Sequence, residues 1–202
     1  MTASDKNIFP VFDELLSKKD KENLLNQHAF TIWLTGLSGS GKTTIAKGVE
    51  KTLHDKGYLC KVLDGDNLRS GLCNNLSFTE NDRLENIRRV AEISKLFNDG
   101  GILTINCFVS PSKKIRALAQ DIIGKEVFHE VYIKANVELC EQRDVKGLYK
   151  KARAGEIKNF TGIDAPFEIP NQPSLVIDTK ELSVDESIEK IINYFLPKIE
   201  IN

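Results

Sequence analysis

From residue 29 onward the apolar positions fall into two kinds of run. Five are short and apolar or β-branched nearly throughout: 29–35, 58–63, 102–109, 127–133 and 175–177. Runs of that length and make-up predict strands. Between them the apolar residues recur at helical spacing. Ile45, Val49 and Leu53 come every four residues, with Gly57 as a stop. Thr79 with Asp82 three residues on predicts a capping box with Asp in place of Glu. It opens a long helix marked by Leu84, Ile87, Val90, Ile93 and Phe97, which ends at Gly100 and Gly101. Val184, Ile188, Ile191 and Phe195 mark a final helix. This alternation predicts an α/β fold, a mostly parallel sheet with helices on both faces. Ligands then bind beyond the carboxyl ends of the strands. Residues 1–28 read as an N-terminal arm, with the apolar patch 8–12 followed by the charged stretch 17–22; residues 29–202 read as a single domain. The arm packs either on the body or on a second subunit. No internal repeat or low-complexity segment interrupts the pattern.

Composition narrows the class. The 202 residues suffice for one such domain with a core, and the net charge of −1 gives no support for nucleic-acid or membrane partners. No apolar run has the length of a membrane span, and the N-terminus lacks a signal-peptide core, so a cytoplasmic location is expected. Cys60, Cys73, Cys107 and Cys140 form no C-x-x-C pair and do not suit zinc. Cys60 and Cys107 lie in strand-like runs and read as buried free thiols, with a regulatory disulfide as the less favoured alternative.

The chemistry starts at Gly36-Leu37-Ser38-Gly39-Ser40-Gly41-Lys42-Thr43, a complete G-x-x-x-x-G-K-[ST] loop. Its glycines let backbone N–H groups surround phosphate oxygens; Lys42 reaches the β/γ-phosphates and the Thr43 hydroxyl sits on magnesium. The loop follows a strand and opens a helix, as its mechanism requires. No guanine-reading motif of the G-K-x-D kind is present, so ATP is favoured over GTP.

Other candidates each carry a plain structural reading beside the chemical one. The second strand ends in Asp64-Gly65-Asp66-Asn67, either a turn or carboxylates that order magnesium and take a proton from a hydroxyl. Arg69 follows that cluster. Arg83, Asn86 and Ile87 share a helix face, which is either solvated or binds an anion. Phe78 either stacks on a base or staples the helix start. Ser110, before Pro111, is a strand-end serine or a donor to phosphate or sulfate. The segment 140–153 carries Arg143, Lys146, Lys150, Lys151 and Arg153 and is either a solvated helix or a mobile cationic cover hinged at Gly147 and Gly155.

Taken together, these blocks resemble the adenylylsulfate kinase family over residues 29–195. The matching stretches are 36–44, 63–69, 82–89, 108–111 and 140–164. The resemblance implies a three-layer P-loop kinase fold with a mobile basic lid. It implies transfer of the ATP γ-phosphate to the ribose 3′-hydroxyl of adenosine 5′-phosphosulfate, with Mg2+. It gives Asp66 the base or orienting role, with Lys42 and Ser110 beside it. Gly36, Ser38, Gly39, Ser40, Gly41, Lys42, Thr43 and Thr44 hold the nucleotide phosphates, and Arg143 lies near its adenine. Thr43 and Asp64 face the metal. Asp64, Asn67, Arg69, Arg83, Asn86, Val109, Ser110, Lys146 and Asn159 line the acceptor site, and Phe78 and Phe160 stack its adenine. Direct transfer is favoured over a phosphorylated Ser110. A homodimer and a separate ATP sulfurylase are implied as well. The chain departs from the family pattern at Ser77, Asn159, Asn106-Cys107 and Ser112, which bears on substrate affinity. The competing readings are another small-molecule P-loop kinase and a non-catalytic ATP-binding sensor.

Overall fold

The computed structural model describes residues 7–201, so residues 1–6 of the expected arm lie outside the described residues. All five expected strands form: β1 (Thr31–Thr35), β2 (Cys60–Asp64), β3 (Leu103–Cys107), β4 (Phe128–Lys134) and β5 (Leu175–Asp178). Their order is β2-β3-β1-β4-β5 and every pairing is parallel. The helices are α1 (Lys18–Leu25), α2 (Lys42–Asp55), α3 (Gly65–Arg69), α4 (Glu80–Asp99), α5 (Lys113–Ile123), α6 (Val137–Arg143), α7 (Leu148–Arg153) and α8 (Val184–Ile199).

Alternate side chains of the central strand serve two cores. Ile32 and Leu34 meet Ile45, Val49 and Leu53 of α2 and Ile191 and Phe195 of α8. Trp33 points the other way, to Ile87 and Val90 of α4 and Ile115 and Ala119 of α5. Helices therefore cover both faces. The second strand differs from expectation: only Leu63 and Asp64 of β2 are buried. The topology explains this, because β2 is an edge strand and its first residues have a neighbour on one side only. Among the described residues no helix is long and apolar enough to cross a membrane.

The inner end of the arm docks on the body. Ser17 and Asp20 form a capping box that starts α1. Lys21 donates to the carbonyl of Asp99 at 3.2 Å. The buried amide of Gln27 donates to the carbonyls of Leu59 and Gly101 and accepts from the Leu59 N–H, which ties together the amino ends of β2 and β3. The apolar patch beyond it stays exposed, with Phe9 at 81%.

The capping box expected on α4 is half made. Thr79 Oγ1 accepts from the Asp82 N–H at 3.2 Å, but the Asp82 carboxylate takes the hydroxyls of Ser77 and Thr79 instead of the Thr79 N–H. Ser77, a departure from the family pattern, supplies part of the cap itself. All four cysteines are free; Cys60 is half-buried, the other three are buried, and burial pushes Cys60 and Cys107 up to about 12. Thiols held protonated in this way are poor candidates for redox regulation.

Candidate functional site

β1 ends at Thr35, and the chain turns at once into the glycine loop. Gly36 has φ 153°, and a Cβ there would stand 2.4 Å from the Ile133 carbonyl of β4, so only glycine fits against the neighbouring strand. Gly41 has φ 103° and caps α2, whose first turn holds Lys42, Thr43 and Thr44. Lys42 is buried within the loop and donates to the carbonyls of Gly36 at 2.9 Å and Leu37 at 2.7 Å. Burial brings its ammonium down to about 8. The loop is braced from outside: Tyr149 donates its hydroxyl to the Ser38 carbonyl at 2.9 Å. The Arg143 guanidinium reaches the Ser40 carbonyl at 3.4 Å and the Thr179 carbonyl at 2.7 Å.

One carboxylate joins this loop to the next group. Thr43 donates its hydroxyl to Oδ2 of Asp64 at 2.7 Å, while Oδ1 of Asp64 accepts the Asp66 N–H at 3.0 Å. That second bond caps α3 and aims Asp66 outward. The exposed Asp66 carboxylate pairs with Lys146 from the turn before α7. Sequence reasoning placed Lys146 over the acceptor; the structure sets it on the candidate base.

A hydroxyl and a carboxylate side by side suit magnesium. That ion keeps several waters and takes one or two protein oxygens plus substrate phosphates. Among the described residues no three His, Cys, Asp or Glu side chains cluster as a metal cage. The donor set of Thr43 and Asp64 therefore fits the metal that the sequence implied.

The residues expected at the acceptor form a second group. The Arg69 guanidinium lies 4.3 Å and that of Arg83 5.8 Å from the centre of the exposed Phe78 ring. Arg83 also donates to the carbonyls of Phe78 and Asn159, both at 2.9 Å, so it spans from the start of α4 to the loop before Phe160. Asn159 has φ 57°, a left-handed backbone that asparagine tolerates, and Asp164 holds the N–H groups of Asn159 and Phe160. Phe160 rests edge-on against Tyr149, with centroids 5.0 Å apart. Among the described residues the buried Oδ1 of Asn86 has no hydrogen-bond partner. Asn67 stays exposed on α3.

Two expectations need adjustment. Ser110, on sequence either a strand-end serine or a donor to phosphate or sulfate, is 3% exposed. Its hydroxyl accepts from Trp33 Nε1 at 3.1 Å and donates to Thr35, which in turn donates to the Val109 carbonyl at 2.8 Å. The strand pattern could not show this, because Trp33 and Thr35 lie on a different strand. The basic segment is also better anchored than a free cover. Cys140 and Tyr149 are buried, and Arg153 pairs with Glu141 across α6 and α7. The turn at 144–147 is the outward part, and Gly147 and Gly155 do have positive φ. Tyr149, Thr179 and Asp164 were missed by sequence reasoning. Tyr149 left one signal, an aromatic residue inside an otherwise basic run.

Comparison with known proteins agrees with this geometry. A family model described as adenylylsulphate kinase matches residues 28–178. An adenylyl-sulfate kinase of Bacteroides thetaiotaomicron is 58% identical over 197 residues, 97% of this chain and 98% of that protein. One of Staphylococcus carnosus is 50% identical over 182 residues, 90% of this chain and 92% of that protein. Among solved structures, a Mycobacterium tuberculosis APS kinase in complex with AMPPNP and APS superposes with a TM-score of 0.81 at 44% identity, covering 84% of this chain and 98% of that one.

Proposed function

The chain belongs to the adenylylsulphate kinase family, and on that premise we propose that it transfers the γ-phosphate of ATP to the ribose 3′-hydroxyl of adenosine 5′-phosphosulfate. The products are ADP and 3′-phosphoadenylylsulfate, and the reaction belongs to sulfate assimilation. The observation that carries the residue assignment is the Asp64 carboxylate, with one oxygen on Thr43 beside the phosphate loop and the other on the backbone of Asp66.

The glycine loop cradles the ATP phosphates through residues 36–44, and Lys42 turns from the loop carbonyls to the transferring group. Arg143 borders the nucleotide. Thr43 and Asp64 would hold Mg2+, which would neutralise charge on the phosphate oxygens. Arg69, Arg83 and Asn86 take the phosphosulfate and ribose, Phe78 and Phe160 flank the adenine, and Asn67, Val109 and Asn159 line the pocket. Asp66 accepts the 3′-hydroxyl proton as the oxygen–phosphorus bond forms and the bond to the ADP oxygen breaks. Lys146 offsets the Asp66 charge in the free protein and turns to the anionic acceptor when it binds. Residues 29–202 make up the kinase domain, with 1–28 as its arm. The same reading includes a homodimer, a cytoplasmic location and ATP sulfurylase as a separate protein.

The test is a coupled assay of ADP release with ATP, magnesium and adenylylsulfate, set against a sugar acid, shikimate and a nucleotide as acceptors. Release with one of those and none with adenylylsulfate overturns the assignment.

Ser110 supports the reaction without carrying the phosphate. Its hydroxyl is engaged by Trp33 and Thr35, so nothing favours an attack by this oxygen. A single in-line transfer is expected, and chiral γ-phosphate should show inversion at phosphorus in a single turnover. Net retention would mean two displacements and a covalent intermediate.

Nucleotide binding should also take up protons. Lys42 titrates near 8 because it is buried, and the phosphates of ATP favour its charged form. At a pH close to that value binding therefore draws protons from the buffer; about two units lower the lysine is already charged and uptake vanishes. Calorimetry in buffers of different ionisation enthalpy measures this. Binding enthalpies independent of buffer at the higher pH would refute it.

A further inference from the structure

Arg116 on α5 is 4% exposed, and the reaction described above gives it no part. Its guanidinium reaches three separate elements. It donates to the Ser110 carbonyl after β3 at 2.8 Å and to the Glu168 carbonyl at 2.7 Å. Its Nε stands 2.6 Å from Oε1 of Glu130 on β4 in an ion pair, and among the described residues that buried oxygen accepts no aligned hydrogen bond. Its face also lies 5.7 Å from the centre of the Phe167 ring. Further bonds seal the junction: the Glu168 N–H donates to the Pro111 carbonyl at 2.8 Å, and the Glu168 carboxylate accepts from the Lys113 N–H at 2.6 Å.

What Arg116 joins is the acceptor half of the site. Ser110 has φ 36°, a backbone conformation that non-glycine residues hold only when their surroundings fix it. Glu168 lies in the same connection between α7 and β5 as Asn159 and Phe160. A planar fork suits this task, because guanidinium donors point in fixed directions whereas an ammonium is a point charge.

We propose that Arg116, oriented by Glu130, is a positioning residue that fixes the Ser110 backbone and the loop bearing Asn159 and Phe160, so that adenylylsulfate meets preformed walls. The inference rests on the adenylylsulfate assignment for its kinetic consequence but not for its geometric one. The other role open to a buried ion pair is stability alone, and the two roles separate experimentally. Replacing both partners of such a pair with apolar residues is often neutral for stability. It leaves the Ser110 and Glu168 carbonyls without their shared donor.

The experiment compares Arg116→Met/Glu130→Leu and Arg116→Lys with the parent. Thermal midpoints, KM for each substrate and the emission of Trp33, the chain's one tryptophan, are measured. Trp33 donates to the Ser110 hydroxyl, so its emission reports Ser110 whatever the acceptor is. Expected are a folded double variant with a midpoint lowered by the two carbonyls left without a donor, shifted emission, and a KM for adenylylsulfate raised about 10- to 100-fold, with KM for ATP unchanged. If the double variant does not fold, Arg116→Lys keeps the charge, loses the fork and carries the same expectation. A folded variant with parental emission and parental KM for adenylylsulfate overturns the proposal. A parent inactive with adenylylsulfate but variants with shifted emission would overturn the assigned acceptor and leave the geometric role supported.

Discussion

Asp66→Asn should bind ATP as the parent does and lose phosphoryl transfer by about 10²- to 10⁴-fold, the usual worth of a positioned general base. The substitution preserves size. It also preserves the backbone N–H that Asp64 holds, so the start of α3 survives. The side chain is 71% exposed, and its one salt-bridge partner is Lys146, which lies outside the glycine loop. Loss of transfer with intact nucleotide affinity would place the defect at the acceptor hydroxyl. Turnover by ADP release and ATP affinity by calorimetry are the two measurements. Near-parental turnover would mean that the hydroxyl loses its proton elsewhere and that Asp66 only orients.

Lys42→Ala should lower kcat/KM for ATP by about 10²- to 10³-fold, as removal of one preorganised donor to a transition-state charge typically does. A second effect comes from the structure. Lys42 satisfies the carbonyls of Gly36 and Leu37, so alanine leaves both without that donor inside a buried loop. The loop should therefore lose nucleotide affinity as well as rate, unlike Asp66→Asn. An unchanged thermal midpoint would exclude general unfolding. Retention of parental kcat/KM for ATP in a folded variant would remove Lys42 from the reaction.

The strands and long helices were legible because their apolar residues face a core on regular periods. Ile45, Val49 and Leu53 read as one helix face and pack as one. Asn159 holds a left-handed backbone that asparagine tolerates better than most residues. Other features depend on strand order, which periodicity does not contain. β2 reads as buried until the topology puts it on an edge. Ser110 keeps both its readings until Trp33 and Thr35 arrive from the neighbouring strand and engage its hydroxyl. Arg116 belongs to no motif, and its contacts appear only when the Ser110 and Glu168 carbonyls and the Glu130 carboxylate converge on it. Within the site, residues with a local motif were found and residues that brace them from afar were not.

The Asp64 carboxylate has a thermodynamic consequence. One oxygen takes the Thr43 hydroxyl and the other the Asp66 N–H, so on the proposed assignment they serve the nucleotide side and the acceptor side. Any shift of the carboxylate on nucleotide binding must be felt at Asp66. Linkage then requires reciprocity: adenylylsulfate must alter the affinity for ATP by the same factor, and in the same direction, as ATP alters the affinity for adenylylsulfate. An ordered preference in substrate binding would thus be written in one side chain's pair of lone-pair directions, without any movement of domains.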